Sequence, residues 1–212
     1  MKRLNLDDPE VWNKWRALYF ELTEEENIQF GNDIFEKYPN QQSYTLSNYK
    51  LLEQEFGTST DVLEIGGWRG ELAAQILAKN PTINNWKNVD VCKAAIDAIP
   101  ATNDKRLHQI YSYCFEWWVN YHPSFLSVFN YLVMAHSIEH LHHTHVDSLM
   151  QKVAGIRTII IEAPISEHGD NWHNYQGTHI FDKGWGYIDS IMRAQSRSIE
   201  ILNESCRIYT LR

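Results

Sequence analysis

Three groups of residues in this chain have the types and spacing to do chemistry. The first is the glycine turn Glu64-Ile65-Gly66-Gly67-Trp68-Arg69-Gly70. Glycines let a backbone approach a ligand closely, and a helix starting at Glu71 would offer free N–H groups and a positive dipole end. The second is Asp90, 20 residues after Gly70. A carboxylate there, at the end of the next strand, can accept both hydrogens of a ribose diol. The third is a set of histidines, eight of the ten falling after residue 135. Histidine titrates near neutral pH and is the natural general base. His136, His140 and His173 are the candidates, His136 foremost because it falls just past a strand.

His136-Ser137-Ile138-Glu139-His140 also reads as H-x-x-E-H, the inverted zinc-peptidase pattern with two metal-binding histidines and a glutamate base. A third ligand would come from Glu162, Glu167 or His168. That chemistry needs both histidines on one helix face. Here the pattern follows Phe129-Asn130-Tyr131-Leu132-Val133-Met134-Ala135, which reads as a strand, so His136 is expected at a strand end and no metal is expected.

The elements that must position these groups alternate. Val62, Leu63 and Ile65 make a buried strand, and Glu71 to Asn80 a helix with Leu72, Ile76 and Leu77 on one face. Asn85–Val91 is a second strand, Lys93–Ile99 a short helix and Leu107–Tyr113 a third strand. Phe129–Ala135 is a fourth, His145–Val153 a helix and Ile156–Glu162 a fifth strand with a continuous β-branched run. Gly184–Ala194 is a helix, and Ser198–Leu202 with Arg207–Leu211 a closing antiparallel hairpin. Such alternation predicts an α/β fold, a Rossmann-like, doubly wound and mostly parallel sheet with an antiparallel C-terminal strand. Residues 1–57 read as a separate N-terminal helical cap, with 58–212 as the sheet domain. Within the cap, Val11 to Leu22 is one helix and Thr23-x-x-Glu26 a capping box opening a second. Leu46, Tyr49, Leu52 and Phe56 give a third, ended by Gly57.

Together, these motifs resemble the class I S-adenosylmethionine-dependent methyltransferases, in particular small-molecule members of the ubiquinone-biosynthesis type. Glu64 to Gly70 resembles their motif I, [DE]-x-G-x-G-x-G, and Asp90 the acid ending their second strand. Phe129–Val133 resembles the fourth strand, Ser137–Leu141 its frequent continuation, and Gly177–Phe181 a segment before the last helix. The likeness covers roughly residues 60 to 212. The chain departs from the pattern at Trp68, where the middle glycine would stand, and at Asn130, where an aspartate is common. The resemblance implies S-adenosyl-L-methionine as cofactor. Gly66, Gly67 and Gly70 would then line its methionine part, Glu64 its amino group, Asp90 its ribose, and Cys114 and Phe115 its adenine. Ala135 and His136 would border the methyl position. It also implies in-line methyl transfer to a small organic acceptor, helped mainly by alignment and exclusion of water.

Bulk composition narrows the classes. The 212 residues suffice for one good core. A net charge of −8 with no Lys/Arg cluster argues against a nucleic-acid surface. No apolar run reaches bilayer length, and Met1 to Asp8 lacks a signal-peptide apolar region. Cys92, Cys114 and Cys206 are odd in number and widely spaced, which fits reduced thiols in the cytoplasm. The absence of G-x-G-x-x-G argues against a nicotinamide oxidoreductase. A zinc hydrolase and a non-catalytic cofactor-binding relative are the rival readings.

Overall fold

The computed structural model describes residues 23–37, 49–98, 102–112, 123–141, 143–167 and 181–212. Seven strands form one sheet: β1 (Thr60–Ile65), β2 (Ile83–Asp90), β3 (Leu107–Tyr111), β4 (Tyr131–Ala135), β5 (Thr158–Glu162), β6 (Arg197–Ile201) and β7 (Cys206–Leu211). Their order is β3-β2-β1-β4-β5-β7-β6. Strands β1 to β5 pair in parallel, whereas β7 runs antiparallel to both β5 and β6. The chain reverses its direction of winding between β1 and β4. At such a switch point the loops leaving the carboxyl ends diverge and open a crevice for a ligand.

Alternation along the strands supplies two cores. Leu63, Ile65, Leu132, Met134, Ile159 and Ile161 face one side of the sheet and pack with residues of α5 (His143–Lys152) and α6 (Trp185–Ala194). Val62, Val133 and Ile160 face the other, where Leu72, Ile76 and Leu77 of α2 (Glu71–Lys79) cover them with Tyr49, Leu51 and Phe56. Glu64, Trp86, Asn88, Asp90, Ala135 and Glu162 share that second face by the same period of two. Among the described residues, no helix is long and apolar enough to cross a membrane.

Helix α1 (Glu24–Lys37) opens with the expected capping box: the Thr23 N–H donates to Glu26 Oε2 at 2.9 Å, and the Glu26 N–H to Thr23 Oγ1 at 3.3 Å. It lies over the end of β2, where the Cys92 thiol donates to the Gly31 carbonyl and Phe35 meets Trp68 with ring centroids 5.6 Å apart. The expected helix before it falls outside the described residues. The third expected helix is a correction. Among the described residues 49–57, only Lys50–Glu53 is helical, as one 3-10 turn, and the chain is extended from Gln54. From there it crosses the sheet to the opposite edge, where the Gly57 N–H reaches Tyr131 Oη at 3.2 Å. Two further helices are short: α3 (Lys93–Asp97), as expected, and α4 (Pro123–Leu126), which no periodicity announced.

Candidate functional site

The glycine turn is pinned to β2 by consecutive N–H groups. Gly66 donates to the Val89 carbonyl at 2.7 Å, Gly67 to Asn88 Oδ1 at 3.0 Å and Trp68 to Asp90 Oδ2 at 2.8 Å. The Asn88 amide returns a bond to the Trp68 carbonyl at 2.9 Å, and Gln109 Nε2 holds the Arg69 carbonyl at 2.6 Å. Gly66 has φ 78°, and a Cβ there would stand 2.4 Å from Cβ of Ser137. A Cβ on Gly67 would meet Asn88 Oδ1 at 2.3 Å and Glu64 Cδ at 2.4 Å. Both positions therefore exclude any side chain. Trp68, in the place of the middle glycine, adopts φ 52° without that freedom. The bonds to its N–H and C=O and the contact with Phe35 hold it there.

Two acids lie beneath and beside the turn. Glu64 is fully buried; its Oε2 accepts the Trp86 indole N–H at 2.7 Å, and its Oε1 has no hydrogen-bond partner among the described residues. Burial raises its carboxyl to about 8, with Asp90 and Glu71 adding to the rise and Trp86 opposing it. Asp90 ends β2. Besides the Trp68 bond it accepts the Cys92 N–H at 2.7 Å through Oδ1. Burial lifts it to about 6 against these bonds and the charge of His140.

His136 stands one residue past β4 with φ 52°, a conformation costly for a non-glycine residue. Its N–H donates to the Glu162 carbonyl at 2.7 Å. Its ring is stacked on Tyr49, centroids 5.1 Å apart and planes 9° from parallel. Nδ1 faces Oε1 of the buried Glu139 at 3.4 Å. Burial lowers the imidazole pKa, but Glu139, with Glu162 behind it, outweighs burial and holds His136 above its usual value. The H-x-x-E-H stretch is not an α-helix: Ser137 is non-helical and Ile138–His140 is a single 3-10 turn. The two histidines thus lack the shared helix face that the zinc pattern requires. Among the described residues, no three His, Cys, Asp or Glu side chains converge as a metal-ligand set.

The structure brings Glu64, Gly66, Gly67, Gly70, Asp90, Ala135, His136 and His140 to one sheet edge. The bend after β1 touches the bend after β4 through Gly66 and Ser137, and His140 is near enough to Asp90 to bias its charge. Cys114, Phe115 and His173 lie outside the described residues. Asn130, the other departure, sits at the opposite edge, where its Oδ1 accepts the Asp61 N–H at 2.9 Å. The sequence reading missed Tyr49, Trp86, Asn88 and Gln109 as parts of the site.

No protein-family model matches the sequence, and no curated protein matches it. Solved structures match it over most of its length. An O-methyltransferase family protein from Burkholderia thailandensis is 10% identical with a TM-score of 0.54, covering 93% of this chain and 62% of its own. Human N-acetylserotonin methyltransferase, solved in complex with SAM, is 11% identical with a TM-score of 0.56, covering 93% and 58%. CalO1, a methyltransferase in calicheamicin biosynthesis solved in the SAH-bound form, is 11% identical with a TM-score of 0.55, covering 92% and 60%. This chain therefore spans about three fifths of the length of each. The likeness, like the strand order with its reversed β7, is one of architecture: the chain has the Rossmann-like fold of the class I S-adenosylmethionine-dependent methyltransferases.

Proposed function

We propose that this chain is an S-adenosylmethionine-dependent methyltransferase acting on a small organic acceptor, with His136 as general base. The observation that carries the reading is the junction at one sheet edge, where the pinned glycine turn, Asp90 and His136 meet. The residues present fit that cofactor. Glu64 offers a carboxyl oxygen with no partner among the described residues, suited to an ammonium group. Asp90 keeps lone pairs beyond those that bind the Trp68 and Cys92 N–H groups, suited to a ribose diol. Helix α2 starts at Gly70 with no side-chain cap, leaving N–H groups for a carboxylate. Gly66, Gly67 and Ala135 complete the wall, and Cys114 and Phe115 take the adenine.

When bound, the cofactor supplies an electrophilic methyl group on a sulfonium. The protein's part is to orient, exclude water and take a proton. With Nδ1 of His136 turned to Glu139, Nε2 is the atom that receives the acceptor's proton. Only an acceptor that sheds a proton, a hydroxyl or an ammonium, makes use of it. His140 supports the charge balance beside Asp90, and His173 is the further candidate for work on the acceptor. Residues 1–57 serve as the cap, with α1 over the end of β2.

Calorimetric titration with S-adenosylhomocysteine tests the reading. Binding in the micromolar range, about −8 kcal/mol, is expected. Absence of binding at millimolar ligand would overturn it, and would leave a cofactor fold without a cofactor.

A further inference from the structure

Glu162 closes β5 and is buried on the face it shares with Glu64 and Ala135. Its carboxylate reaches back to a segment more than a hundred positions earlier. Oε1 accepts the Lys50 N–H and Oε2 the Leu51 N–H, each at 2.9 Å. These are the first two N–H groups of the 3-10 turn Lys50–Glu53, which carries no side-chain cap of its own. A buried carboxylate spanning both is a charge-assisted cap delivered from the sheet. The residue before that turn is Tyr49, whose ring lies flat on His136.

His136 is thus held at three points. Its backbone N–H binds the Glu162 carbonyl, its Nδ1 faces Glu139, and its ring face meets Tyr49. The Glu139 contact, at 3.4 Å, is long for a bond that alone must set a ring plane. With 35% of the side chain exposed, the ring has room to turn unless Tyr49 stops it.

Resting on the reading of His136 as base, we propose that Glu162 is a positioning residue: its carboxylate seats Lys50 and Leu51 so that Tyr49 lies flat on the imidazole and fixes the direction of Nε2. It touches no reacting atom. Besides the charge it places behind the imidazole, its influence runs through two backbone bonds and one ring stack.

The test is the NMR signal of the His136 Cε1–H, identified by its loss in His136→Gln. Read at the alkaline limit of its titration, where every variant carries a neutral imidazole, this signal in the native protein is displaced upfield by stacking on Tyr49. Glu162→Ala and Tyr49→Leu should each abolish the displacement, and the double variant should do no more than either alone. A second pair avoids changing a buried acid. Lys50→Pro removes one N–H while keeping a first-turn conformation that proline tolerates, and Tyr49 already has the extended ψ of 120° that precedes proline. Lys50→Ala removes the side chain and keeps the N–H. Lys50→Pro should reduce the displacement, and Lys50→Ala should leave it intact. An unmoved His136 signal in a folded Glu162→Ala or Lys50→Pro protein overturns the proposal. Equal effects of Lys50→Ala and Lys50→Pro would do the same. The signal is read without substrate, so failure of the base assignment would show separately, as methyl transfer surviving His136→Gln.

Discussion

The indole N–H of Trp86 donates to Oε2 of Glu64 at 2.7 Å, joining two buried side chains directly beneath the glycine turn. Among the described residues this is the only hydrogen bond to a carboxyl that burial raises from its ordinary 4.5 to about 8. A carboxyl whose folded value exceeds its unfolded one binds its proton longer in the folded chain. Its contribution therefore turns unfavourable as pH rises above about 4.5 and reaches its full cost above about 8. Glu64→Gln should flatten the pH dependence of stability across that window and raise stability at pH 8. Urea unfolding of both proteins between pH 5 and 9 checks this; parallel curves would refute it.

Filling the site should expel the same proton. If a ligand ammonium pairs with Glu64, the carboxyl must ionise on binding, because a neutral acid gives up most of the charge attraction. Titrations with S-adenosylhomocysteine near pH 7, in buffers of different ionisation enthalpy, should report close to one proton released. Glu64→Gln should abolish the release.

Asp90 holds the Trp68 and Cys92 N–H groups and, by the proposal, a ribose. Asp90→Ala leaves both donors without their acceptor, at a cost on the order of 2 kcal/mol of stability. Affinity for S-adenosylhomocysteine should fall more than tenfold, or more than about 1.4 kcal/mol. Stability lost with affinity retained would confine Asp90 to holding the turn.

For His136, the raised imidazole value carries a sign. The stabilisation from Glu139 is present below the ordinary His value of 6.5 and is lost as pH climbs through the higher folded value. Glu139→Gln should lower the titration midpoint of His136. It should also move the acid limb of the methyl-transfer profile in the same direction. His136→Gln should cost on the order of a hundredfold or more in rate with an ionisable acceptor, while leaving cofactor affinity within a few-fold. An unchanged rate would remove the base.

Arg197 gives a prediction about folding alone. Its buried guanidinium donates to the carbonyls of Val153, Ala154, Ile156 and Arg157, the connection from α5 into β5. Lysine lacks the planar fork needed to reach all four. Arg197→Lys should cost on the order of 3 kcal/mol. That corresponds to a fall in Tm of roughly 6–12 °C, measurable by circular dichroism.

The strands were legible because they carry short apolar runs rich in β-branched residues, as in Val62 to Ile65 and Thr158 to Glu162. The closing hairpin was legible for the same reason. The segment after residue 46 misled because Tyr49, Leu52 and Phe56 recur at three and four residues, the helical interval. In the structure, two of the N–H groups that a helix would use go to Glu162 instead, and Phe56 packs on Trp86 and Tyr131 from extended chain. That capture depends on an acid over a hundred positions away, which no local window contains. Asn88 and Gln109 were invisible because a polar residue inside a strand looks the same whether it meets water or clamps a neighbouring bend. Trp86 is a buried residue of the second strand, and its bond to Glu64 appears only once two strands are in register.

The crowding around the bend after β1 bears on descent. Side chains are barred at Gly66 and Gly67 by the protein's own interior, by Ser137, Asn88 and Glu64, whether or not a visitor ever arrives. A lineage that abandoned chemistry would still be obliged to keep both glycines in order to fold. Erosion of activity would first be written at positions that the interior does not crowd.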